Sequence, residues 1–152
     1  MKYLLLTLIA FPLSVYIGFS QTNEKESFTE MEGQVLKIIN EHRKAIGLGE
    51  LVYNIAVYNE AKKHSINMAG GKTPFSHDGF DERFESLVKV LGANSMSENV
   101  ALGQTTAQDV VDSWLSSEGH KQNIEGNFNL TGIGIARGKN GDLYFTQIFL
   151  LE

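Results

Sequence analysis

Residues 132–151 read GIGIARGKNGDLYFTQIFLL, and this stretch decides the fold class. The segment Gly132–Ala136 alternates glycine with β-branched residues, which is typical of a strand whose glycine face lies against a close neighbour. The pair Asn140-Gly141 is favoured in tight hairpin turns, and Leu143–Leu151 has the length and apolar character of a returning strand. We therefore predict a C-terminal β-hairpin.

Upstream of the hairpin, apolar residues recur at helical spacing. The predicted helices cover about residues 29–46, 54–69, 81–91 and 107–117. A capping box at Thr29–Glu32 is expected to start the first helix, and glycines follow the first three. Trp114 lies on the apolar face of the last helix, so we expect it to be buried. Helices, a loop-rich centre and a hairpin predict one α+β domain.

Residues 1–20 have the features of a secretory signal peptide. Lys2 gives a positive start, an apolar run follows to Phe19, and Gly18 and Ser20 are the small residues that signal peptidase requires. We predict cleavage near Ser20–Gln21, a polar leader at residues 21–28, and a secreted or periplasmic protein without a membrane span. The rival interpretation is an uncleaved membrane anchor.

Composition excludes several classes of function. The chain contains no cysteine, which rules out a thiolate nucleophile, a cysteine-rich metal site and a disulfide framework. Its net charge is −5 and it has no stripe of basic residues, whereas phosphate contacts dominate nucleic-acid affinity. Nucleic acid is therefore not an expected partner.

The residues most suited to chemistry are polar groups in loops and at helix ends. The usual zinc-protease, serine-hydrolase and P-loop motifs are absent, which leaves His77, Glu98, Glu118 and His120. Two neutral imidazoles and a carboxylate suffice for zinc with an open coordination position. The same groups would serve acid–base catalysis, with Glu98 as the candidate base. The alternative is that they only hydrogen-bond turns together.

Three other polar residues are given structural interpretations. His42 and His64 lie on predicted helices beside apolar positions, so we interpret both as partly buried histidines with satisfied hydrogen bonds. Gln147, on the predicted last strand, points either into a site or to solvent.

A series of motifs resembles the CAP superfamily, which comprises the cysteine-rich secretory proteins, antigen 5 and plant pathogenesis-related proteins and whose domain is also called SCP. These motifs run in order from about Met31 to the C-terminus and include Asn40-Glu41-His42-Arg43, Phe75-Ser76-His77, Glu98-Asn99-Val100-Ala101, Gly119-His120-x-x-Asn123-Ile124 and Thr146-Gln147-x-Phe149. Residues 29–152 are accordingly identified as a bacterial-type CAP/SCP domain.

The resemblance implies an α-β-α sandwich with a small, mainly antiparallel central sheet. It also implies a cleft of two histidines and two acids that holds a divalent metal in some members. His77, Glu98 and His120 match three of these positions. Many relatives have the second acid where this chain has Ser117, and Glu118 follows one residue later.

The resemblance allows more than one function, because its members include binding proteins and proposed proteases. The first hypothesis is a secreted binding module whose cleft holds a divalent metal such as zinc, a small ligand or a cell-envelope component. The second is a metal-assisted hydrolase of peptides or envelope polymer, with His77 and His120 as ligands and Glu98 as the base. The third is a structural cleft without a ligand.

Overall fold

The computed structural model describes residues 14–152, with side chains from Glu30 onward. Its elements are, in chain order, α1 Ser14–Ala45, β1 Val52–Tyr53, α2 Ile55–Ala69, α3 Phe80–Leu91, β2 Ser95–Leu102, α4 Ala107–Leu115, α5 Glu118–Ile124, β3 Leu130–Arg137 and β4 Leu143–Leu151. This mixture of helices and one sheet confirms the predicted α+β class.

The four strands form one sheet in the order β1-β3-β4-β2. The hairpin β3–β4 is the predicted one, and β2 pairs antiparallel with β4 on its other side. Only the short β1 runs parallel to its neighbour, β3. The sheet is therefore mainly antiparallel, with β1 and β2 at its opposite edges.

Gly132 and Gly134 allow α2 to pack directly on β3. A Cβ atom on Gly132 would overlap the backbone of Tyr58, and one on Gly134 would overlap the backbone of Lys62. The predicted glycine face is thus confirmed, and its close neighbour is helix α2. Because backbone meets backbone here, the helix is held at a short distance from the sheet.

The opposite face of the sheet is covered by α1 and α4, which completes the α-β-α sandwich. Val35 and Ile39 of α1 pack with Val111 and Trp114 of α4 against the inner face of the hairpin. Trp114 is 0% exposed, as predicted, and its Nε1 donates to the Val100 carbonyl of β2 at 3.1 Å. The hydrogen bond ties α4 to the edge strand of the sheet.

The N-terminal predictions have different outcomes. Helix α1 begins at Ser14 and runs through residues 21–28, so the capping box at Thr29–Glu32 does not start it. Residues 21–32 contain neither proline nor glycine to end a helix. Residues 1–13, most of the predicted signal peptide, lie outside the described residues. None of the described helices is long and apolar enough to cross a membrane.

Strand β2 and helix α5 were not predicted from the sequence. Strand β2 includes part of the predicted loop-rich centre. Helix α4 ends at Leu115, before the predicted residue 117, and the non-helical residues Ser116 and Ser117 separate it from α5. Ser117 is the residue before α5, and Glu118 is the first residue of that helix. These two elements position the candidate site.

Candidate functional site

Glu98 lies at the centre of the candidate site, on β2, and its side chain is 0% exposed. The guanidinium of Arg83, from α3, binds both of its oxygens: Nε donates to Oε2 at 2.8 Å and Nη2 to Oε1 at 2.7 Å. This two-point contact is the geometry in which arginine binds carboxylates most strongly. The charge of Glu98 is therefore balanced inside the protein.

His77 lies in the loop between α2 and α3, and its side chain is 49% exposed. Its Nδ1 is 2.9 Å from Glu98 Oε1, so with Glu98 ionised Nδ1 carries the proton and donates. Arg83 also holds this loop, because its Nη1 donates to the Asp78 carbonyl at 2.8 Å. His77 is thus oriented by a buried carboxylate while its ring reaches solvent.

His64 lies behind this pair and is 2% exposed. Its Nε2 donates to the Ser76 carbonyl at 2.9 Å, and its Nδ1 accepts from Arg83 Nη1 at 3.3 Å. Burial lowers the pKa of His64, which favours the neutral ring that both contacts require. The structure confirms a buried, satisfied histidine and places it directly beside the candidate site.

His120 approaches the same strand from α5. Asn99 of β2 donates through Nδ2 to the His120 carbonyl at 3.1 Å. Asn123 donates through Nδ2 to Asn99 Oδ1 at 2.8 Å and to the Glu98 carbonyl at 3.1 Å. Burial, and then the nearby charge of His77, lower the pKa of His120. The asparagines therefore fasten α5, the helix that carries His120, to the edge of β2.

Glu118 does not join this group. It is exposed, and its Oε1 accepts a hydrogen bond from Gln122 Nε2 at 3.0 Å, one turn further along α5. Across residues 30–152, no three histidine, aspartate or glutamate side chains are arranged to hold a metal ion. The structure thus joins His77 to Glu98, places His120 on a helix fastened beside β2, and leaves Glu118 on the surface.

Gln147 does not point to solvent, which was one of its two predicted positions. It is 0% exposed, and its Nε2 donates to Thr131 Oγ1 at 3.2 Å. Its partners on either side are Asn99 of β2 and Ile133 of β3, in the middle of the sheet. Gln147 is therefore a polar residue of the interior.

Sequence reasoning assigned no role to Arg83, Asn99 or Asn123. Arg83 adjoins the apolar stripe of α3, and only the fold shows that it turns toward Glu98. Asn99 and Asn123 occur within the quoted motifs, but their function depends on the packing of α5 on β2. The signal that the sequence offered for Arg83 was a charged residue directly beside the apolar stripe of a helix.

Comparisons with known proteins agree with this architecture. Residues 36–149 match the model of CAP, the Cysteine-rich secretory protein family. The chain is 32% identical over 133 residues to the uncharacterized protein YkwD of Bacillus subtilis. That alignment covers 85% of this chain and 50% of the relative, so the chain spans half of that protein's length.

Solved structures show the same fold. An extracellular SCP-domain protein of Bacillus anthracis superposes with a TM-score of 0.72 at 25% identity, over 84% of this chain and 42% of that one. An outer surface protein of Borrelia burgdorferi superposes with a TM-score of 0.71 at 21% identity, over 81% and 93% of the respective chains. The α-β-α sandwich is thus shared with these proteins.

Proposed function

Since this chain belongs to the cysteine-rich secretory protein (CAP) family, we propose that it is an extracellular binding module whose cleft lies between His77 and His120. The signal-peptide features of residues 1–20 and the extracellular relative from Bacillus anthracis support this location. The ligand we propose is a divalent metal, zinc, which in turn can bind a small ligand or a cell-envelope component.

The contact between His77 and Glu98 is the observation that carries the proposal. Histidines that bind zinc commonly donate their other ring N–H to a carboxylate, which fixes the tautomer and the orientation of the ring. Glu98 holds Nδ1 of His77 in this way, so Nε2 keeps its lone pair and remains available for a metal. His120 would be the second ligand, and water or a bound ligand would have to complete the coordination, because among residues 30–152 no third histidine, aspartate or glutamate joins them.

The burial of Glu98 favours binding over catalysis. Its side chain is 0% exposed, and Arg83 and His77 already engage both oxygens. A general base must lie within reach of the proton that it removes. We therefore assign Glu98 the orientation of His77, not metal ligation or proton abstraction, and the metal-assisted hydrolase becomes the competing hypothesis.

Zinc titration of protein purified without a histidine tag tests the metal site. Calorimetry should show one zinc per chain at neutral pH, and His77→Ala and His120→Ala should each abolish it without unfolding the domain. His42→Ala is the matched control, because His42 bonds Glu125 at the C-terminal end of α5 and is not a proposed ligand, so zinc binding should be retained. Absence of zinc binding by the wild-type protein would contradict the proposal.

Glu98→Gln separates binding from hydrolysis. Loss of the outer-sphere carboxylate should weaken zinc binding by about 10–100-fold. A hydrolase that uses Glu98 as its base would instead keep its zinc and lose most of its rate on a peptide or envelope-polymer substrate. Measurable wild-type hydrolysis that disappears in Glu98→Gln, with zinc affinity unchanged, would favour the enzyme.

A further inference from the structure

A cavity lies at the sheet edge opposite the proposed histidine cleft. It has a volume of about 450 Å³, and the described residues that line it come from α1, β1, α2 and β3: Glu32, Gly33, Leu36, Tyr53, Tyr58 and Ile133. The cleft adjoins β2, whereas this cavity adjoins β1 and β3, so the two are separate. Its volume is within the range of small-molecule pockets.

The cavity exists because β1 is short. β1 pairs only with Leu130 and Thr131, so the edge of β3 is uncovered beyond that point. Glu32 covers part of this edge, since its Oε1 accepts from the Ile135 N–H at 2.9 Å and from Lys62 Nζ at 3.1 Å. Between Tyr53 and Glu32, Ile133 forms the floor of the cavity.

Glu32 is a buried carboxylate with one oxygen left for a ligand. The residue is 7% exposed, and both of its hydrogen bonds go to Oε1. Among the described residues, no donor is bound to Oε2. A donor that entered the cavity could therefore bond to Oε2, and hydrogen bonds to a charged acceptor are stronger than those between neutral groups.

The walls of the cavity are apolar and aromatic. The rings of Tyr53 and Tyr58 lie 5.8 Å apart at an angle of 45°, and Leu36 and Ile133 complete the lining. Aromatic rings favour tilted contacts of this kind, so the ring of a ligand can pack against the two tyrosines. Lys62 already places a cation at Glu32, so a second cation would lie close to a like charge. The site therefore suits a neutral ligand.

We propose that this cavity binds a small neutral ligand built of an apolar ring with a hydroxyl group. The hydroxyl donates to Glu32 Oε2, and the ring packs against Tyr53 and Tyr58. A free phenol-like molecule and a tyrosine side chain share this chemistry.

The probe that tests the site is p-cresol, titrated into the purified protein by calorimetry. One p-cresol should bind per chain. Toluene, which lacks the donor, should bind at least about tenfold more weakly, as expected for loss of a hydrogen bond to a charged group. N-acetyltyrosinamide distinguishes the two sources of the ring. If it binds with the affinity of p-cresol, the site is assigned to a tyrosine side chain. If it does not bind, the site is assigned to a free phenol-like molecule.

Two variants connect binding to this cavity. Nothing lies within 4 Å of a Cβ built on Gly33, which lines the cavity, so Gly33→Leu should place its side chain in the cavity and abolish binding while the helix remains intact. Glu32→Gln should weaken p-cresol about tenfold, and Glu41→Gln, an exposed acid on the same helix, should not change it. The proposal is overturned if p-cresol fails to bind the wild-type protein or binds Gly33→Leu equally well.

Discussion

At the scale of the residue, Arg83 is the group on which the candidate site depends. It neutralises the buried Glu98, donates to Nδ1 of His64, and holds the loop that carries His77 through the Asp78 carbonyl. One guanidinium thus connects three elements, because its planar array of donors can bind a carboxylate and further acceptors at once. A lysine, with a single ammonium group, cannot reproduce these contacts.

Replacing Arg83 alone should therefore be severe. Arg83→Met leaves Glu98 as an unpaired buried charge and should lower the free energy of unfolding by about 3–5 kcal/mol, measured by denaturant titration. The double variant Arg83→Met/Glu98→Met removes both charges and should recover a large part of that loss. If the double variant loses as much as the sum of the single variants, the pair is not coupled as the structure indicates.

At the scale of the element, glycines have opposite roles in β3 and in α1. Gly132 and Gly134 make room for the backbone of α2, so no larger residue fits there without movement of the helix. Gly33 lies in the interior of α1 with open space around its missing side chain. The first two are required by packing, whereas Gly33 only weakens its helix.

Alanine substitutions should separate these roles. Gly134→Ala should destabilise the protein by about 1–3 kcal/mol, since the added methyl group pushes α2 from the sheet. Gly33→Ala should stabilise it by about 0.8–1 kcal/mol through helix propensity. Chemical denaturation of both variants measures the two effects, and a neutral Gly134→Ala would show that α2 does not pack as closely as described.

At the scale of the whole molecule, the two candidate ligand sites occupy opposite edges of one sheet. The proposed histidine site involves α5, the α2–α3 loop and β2, and the cavity proposed to bind a hydroxyl group lies where β1 stops short on β3. Ligand binding at one edge therefore requires no contact with the other. The proposed location outside the cytoplasm makes both edges accessible to extracellular molecules.

The export hypothesis is tested on the intact molecule. The protein released from the producing cell should have the mass of a chain that begins near Gln21, because Gly18 and Ser20 suit signal peptidase. Intact-mass spectrometry of the secreted fraction measures the cut. A species that retains residues 1–20 in the membrane fraction would instead support the uncleaved anchor.

The sequence by itself determined the elements whose signals are local. Apolar spacing predicted α2, α3 and α4, and the Asn140-Gly141 turn with its flanking strands predicted the hairpin. The ordered motifs predicted the family and the sandwich, both of which are confirmed, and the set His77, Glu98 and His120, which stays a prediction. The helical spacing and the hairpin turn can be recognised in the sequence because each depends on residues only a few positions apart.

Only the tertiary structure decided the rest. Strand β2 mixes polar and apolar residues and is recognisable only by its pairing with β4, and α5 is too short for a periodic pattern. The exclusion of Glu118 from the cleft follows from the break before α5, and the role of Arg83 from the approach of α3 to β2. These features arise from burial and hydrogen bonding between segments that are distant in sequence, so they could not be predicted from local sequence patterns.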